Sequence, residues 1–121
     1  MTRHFYAGER DAEGMIAPLS GIAEQESTFA VTAARCRVIM DALGYRCGDA
    51  VFQVPIEDFL FRTHDWRNPF VEWETLKCLP YLPDITCRNM PDDYYAAMRI
   101  PQLHEMAFEA ALLGADTIAC L

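Results

Sequence analysis

No stretch of this 121-residue chain approaches the roughly 18 consecutive apolar residues that a bilayer-crossing helix requires. Its first residues, Met1-Thr2-Arg3-His4, lack the apolar centre of a secretory signal. Membrane partners are therefore not expected, and the expected location is cytoplasmic. Bases are scarce as well: 10 Lys and Arg stand against 18 Asp and Glu, for a formal net charge of −8. That balance repels phosphate backbones, so direct nucleic-acid binding is not expected. The acids fall singly or in pairs, such as Glu57-Asp58 and Asp92-Asp93, without the long acidic rows that would imitate DNA.

Chemistry-bearing motifs are missing too. His4, His64 and His104 lie far apart, and no Cys-x-x-Cys or His-x-x-x-His pair exists. A metal cluster of Cys78, Cys87 and His64 is outweighed by the simpler reading of buried thiols and a surface imidazole. No glycine-rich loop opens a helix, and no serine sits in a nucleophile elbow. Cys47, beside Arg46, reads as a turn cysteine rather than an activated thiol. No cofactor is expected and no catalytic residue is assigned. The five cysteines are odd in number and sparsely placed, which argues against a disulfide framework. They read as reduced thiols, with Cys120 a small buried hydrophobe in Ile118-Ala119-Cys120-Leu121.

What is present is a core. The hydrophobic fraction is 52%, and the length suits one domain over residues 1–121. A first strand is predicted at 3–7, loop from 9 to 27, and a second strand at 28–31. Thr32 can cap a helix over 33–43 whose stripe is Val38, Ile39, Ala42 and Leu43, with Gly44 ending it. Residues 50–54, Ala-Val-Phe-Gln-Val, read as a central strand stopped by Pro55. From 59 to 83 the pattern dissolves into aromatics and prolines, and 85–88 reads as a further strand. Pro91 opens a helix with Asp92 and Asp93 at its positive end. Pro101 opens another, ending at Gly114, with Leu103, Met106, Ala107, Ala110 and Leu113 as its buried stripe. Residues 116–121 close the chain as a strand. The expected class is α+β, with a small mixed sheet of four to five short strands and about three helices.

The irregular aromatic segment carries the functional expectation. Large rings with polar handles, among arginines, are the residues that dominate protein–protein hot spots. Trp66, Arg67, Phe70 and Trp73 form the main candidate partner-binding set, with Trp66 and Phe70 expected to stay exposed. Asp92, Asp93, Tyr94 and Tyr95 form a second candidate patch, in which one of the two tyrosines is expected to pack inward. A larger, basic protein is the expected partner, and a self-complementary homodimer is a further option. In size and composition the chain resembles the small acidic inhibitors carried by phages, anti-CRISPR proteins among them. That resemblance implies a binder that inhibits or adapts its target.

A second resemblance lies in the order of short landmarks. Phe5-Tyr6-Ala7-Gly8, Ile16-Ala17-Pro18-Leu19, Phe29-Ala30-Val31-Thr32, Val51-Phe52-Gln53-Val54-Pro55 and the closing 112–118 are similar to those of ADP-ribosyltransferase-like domains. The likeness touches most of the chain, each piece being short and degenerate. It implies an alternative function, NAD-dependent transfer of ADP-ribose to a protein. The chain departs from that pattern where chemistry is needed. The first-strand His that contacts the nicotinamide ribose is replaced by Ala7, and His4 falls on the opposite strand face. Glu72-Trp73-Glu74 offers a Glu-x-Glu pair, but ahead of the last helices.

Overall fold

The computed structural model describes residues 2–10, 12–13, 16–18, 28–45, 52–66 and 89–120. They form β1 (Thr2–Arg10), β2 (Ile16–Pro18), β3 (Thr28–Thr32), α1 (Ala33–Ala42), β4 (Phe52–Pro55), α2 (Ile56–Asp65), α3 (Asp92–Leu112) and β5 (Thr117–Cys120). The class is α+β. Where a mixed sheet was expected, all four described pairings are antiparallel.

The sheet is organised by its longest strand. Residues 5–8 of β1 pair with β5, and β5 pairs in turn with β4. With that edge of β1 occupied, β3 (along residues 2–6) and β2 (along 8–10) share the other, end to end. The central strands are therefore β1 and β5. Residues 50–54 had been expected to supply a central strand; β4 instead pairs only with β5 among the described residues. β2 falls inside the segment read as loop, and its three residues are too few to show a strand period. The expected strand at 85–88 lies outside the described residues.

α1 forms where its caps say it should. Thr32 Oγ1 accepts from Arg35 N at 3.2 Å. At the other end Tyr45 N donates to Met40 O at 2.9 Å and Gly44 N to Asp41 O at 3.1 Å, the two bonds of a Schellman cap. That cap requires Gly44 at φ +83°, a conformation a side chain would strain. The stripe buries Cys36, Ile39, Met40 and Leu43.

α2 was not expected. Its start is marked by Pro55 as N-cap and by Glu57 and Asp58 in the first turn; Arg62 and His64 favour its last turn. Ile56, Phe59 and Thr63 are buried at helical spacing, and Thr63 satisfies its hydroxyl on Phe59 O at 2.9 Å. α3 corrects a second expectation. One helix runs through Pro101 without a break, although proline forfeits a backbone bond there and costs on the order of 3 kcal/mol. Residues 95–103 are buried all round, with α1, α2 and β1 packed against the helix, and that burial outweighs the local penalty. The expected stripe holds at Leu103, Ala107 and Ala110 and fails at Leu113, which is 60% exposed. Ala115 N donating to Ala110 O and Gly114 N to Ala111 O repeat the Schellman cap, so Leu113 sits on the turn rather than on the stripe.

Candidate functional site

Two arginines fix the relative placement of the three helices. At one end of α1, Arg35 Nη1 meets Asp92 Oδ1 at 3.1 Å and its Nη2 donates to Met90 O at 2.8 Å. Its guanidinium also lies 4.4 Å over the Tyr95 ring. At the other end, Arg62 of α2 donates through Nη1 to Leu43 O and through Nε to Asp58 Oδ2, each at 3.0 Å. Arg62 stacks on Tyr45 at 4.4 Å, and the Tyr45 hydroxyl donates to Asp58. Burial, and then that bond, push the Tyr45 hydroxyl well above the ordinary tyrosine value. The same bond, with Arg62, holds the Asp58 carboxyl below the usual carboxylate range.

Between these clamps runs a groove made of two adjoining hollows. One, about 480 Å³, is lined by Ala42, Leu43, Asp58, Phe61, Arg62, Asp65 and Trp66. The other, about 540 Å³, is lined by Val38, Asp41, Ala42, Trp66, Asp92, Asp93 and Ala96. Trp66 and Ala42 belong to both, so the indole stands where they meet. Phe61 is 70% exposed at one end. Asp58 and Asp92 are matched by Arg62 and Arg35, whereas no ion pair reaches Asp41, Asp65 or Asp93 among the described residues. The groove is therefore lined by aromatic rings and by carboxylates that have no ion pair among the described residues.

The expected residues divide in four. Trp66, Asp92 and Asp93, far apart in sequence, are brought together here. Trp66 is half-buried rather than exposed, because it packs against the core cluster from its place at the end of α2. Tyr94 is on the surface. Tyr95 is the tyrosine that packs inward, which corrects its place among the partner-binding residues: it is wholly buried, its ring flanked by Arg35 at 4.4 Å and Arg99 at 5.3 Å, and it cannot touch a partner. Arg67, Phe70 and Trp73 lie outside the described residues, as do Glu72, Glu74, Cys47, Cys78 and Cys87. Asp41, Asp65 and Phe61 were missed. The signal for the last two was the spacing of Ile56, Phe59, Leu60 and Thr63, a helical period that turns Phe61 and Asp65 outward.

Ala7, at the position the transferase resemblance gives to its His, is 1% exposed in the middle of β1. Among the described residues no three His, Cys, Asp or Glu side chains gather to hold a metal ion. No helix among them is long and apolar enough to cross a membrane. No protein family, curated protein or solved structure matches the chain.

Proposed function

We propose that this chain is a small acidic binding protein that inhibits or adapts a larger, basic protein, and that the groove between α1, α2 and α3 receives that partner. One observation carries the reading: Trp66 lies between two hollows rimmed by Asp41, Asp65 and Asp93, carboxylates with no ion pair among the described residues. An indole face attracts a cation within about 6 Å, and surrounding carboxylates add Coulombic attraction. An arginine or lysine of the partner, its aliphatic stem against Trp66 and its charge among the aspartates, satisfies both demands. The whole-chain charge of −8 favours approach of the same partner from a distance.

The test is affinity capture from the native cell with the wild-type chain beside an Asp41→Lys/Asp65→Lys/Asp93→Lys variant. All three positions are exposed, so the fold should survive the change. A basic protein retained by the wild type, lost by the variant and released by salt supports the reading. Equal retention by both removes it. The ADP-ribosyltransferase alternative has its own arm. NAD at about 100 times a dissociation constant adds about 2.7 kcal/mol of stability to a protein that binds it. With Ala7 buried and unable to donate, no such shift in melting temperature is expected; a clear one would favour the transferase.

A further inference from the structure

We infer that Cys36 and Cys120 are a disulfide-competent pair, joined when the protein meets a thiol oxidant. Their sulfurs are 3.2 Å apart although the residues are 84 positions apart in sequence. A disulfide bond is about 2.05 Å long, so about 1.1 Å separates contact from bond. Packing alone would be met by any two small apolar side chains, and it does not require the two sulfurs to face each other.

The backbones that carry them are both held. Cys120 is laddered on each side, to Phe5 of β1 and to Phe52 of β4. Cys36 stands one turn into α1, just behind the Thr32 cap, on the face turned to the sheet. The encounter is thus built into the fold. Both residues are fully buried, so an oxidant reaches them only through a local opening, and a reductant meets the same barrier afterwards.

The chemistry balances with a low-molecular-weight disulfide as oxidant. One cysteine thiolate attacks it, forming a mixed disulfide and expelling one thiol. The second thiolate attacks the protein sulfur of that mixed disulfide, forming the Cys36–Cys120 bond and expelling the other thiol. The protein loses two electrons, the oxidant gains them, and the two cysteine protons end on the two released thiols. The product ties α1 to a central strand. Since α1 also supplies Val38, Asp41 and Ala42 to the groove, one groove wall is locked to the sheet. So long a closed loop restricts the unfolded chain strongly.

The full chain is incubated folded with glutathione disulfide, quenched by alkylation under denaturing conditions, and mapped by mass spectrometry. The expected product is one cross-linked peptide pair containing Cys36 and Cys120, lighter by two hydrogens. Its melting temperature should stand roughly 10 °C above that of the reduced protein, reversibly on addition of dithiothreitol. Cys36→Ser and Cys120→Ser should each abolish the bond and the shift. Because either serine could unfold the core, a Cys47→Ser/Cys78→Ser/Cys87→Ser variant is treated in parallel, and it should form the same link with the same shift. Alkylation of all the cysteines after prolonged oxidation would overturn the inference. So would a dominant link through Cys47, Cys78 or Cys87, or a 36–120 link that leaves the melting temperature unchanged.

Discussion

The two halves of α3 are similar in apolar content and differ in how completely they are buried. In residues 95–103 every side chain is buried, including the guanidinium of Arg99, which is 0% exposed beside Gln102 Oε1 at 3.3 Å. Beyond His104, which reaches Thr63 at 2.7 Å, Phe108, Leu112 and Leu113 stand in the open. Hydropathy would have ordered Arg99 and Leu113 the other way. What separates them is company. The helix packs against α1, α2 and β1 and is fastened at its start by Arg35, whereas its last turn leads into the Schellman turn on which Leu113 sits.

The sharpest way to break this contrast is Leu103→Ala, which empties a wholly buried site and should cost about 2–5 kcal/mol in denaturant melts. Trp66→Ala comes next. Its indole is half-buried against the core, so the expected loss of stability is about 1–3 kcal/mol, below the full value for a core tryptophan. Partner binding should weaken by about 2 kcal/mol or more in the same variant, as hot-spot truncations do. Binding left intact would move the interface away from the groove.

Thr32→Ala removes the cap that starts α1 and sets Arg35 beside α3; a loss of about 1 kcal/mol is expected. Acid should loosen the α2 clamp in a defined direction. Asp58 is held below the ordinary carboxylate value, so its stabilisation is complete above the unfolded value of about 3.9 and disappears as pH falls through the lower folded value. Asp116, lowered by the Thr117 hydroxyl and the Arg10 amide, adds a loss of the same sign. Melts taken from neutral to acid pH should therefore show less acid sensitivity in Asp58→Asn, with the Asp116 part remaining. Leu113→Ala should do least, within about 0.5 kcal/mol, because its side chain is already in water. A loss matching that of Leu103→Ala would erase the distinction between the halves.

Several elements were legible because their causes are local. Thr32, three residues ahead of the amide it accepts, and Gly44 and Gly114, which take the positive φ that a Schellman turn demands, mark helix ends wherever the rest of the chain goes. The first and last strands and the buried Cys120 follow from short apolar runs in the same way. α2 is present in the sequence as the period of Ile56, Phe59 and Thr63, masked by the aromatics within it and the prolines near it. Other features had no local cause to read. Pro101 stays inside a helix because surrounding elements bury it, Tyr95 rather than Tyr94 is the tyrosine packed inward, between Arg35 and Arg99, and among the described residues β4 pairs only with β5, which takes the place beside β1. The groove is of the same kind. Asp41, Asp65, Trp66 and Asp93 come from three helices, and their charges meet only because two arginines hold those helices at fixed distances. Caps and periods are short-range interactions written into neighbouring residues; which surfaces face each other depends on long-range packing, and that is settled only when the chain has closed.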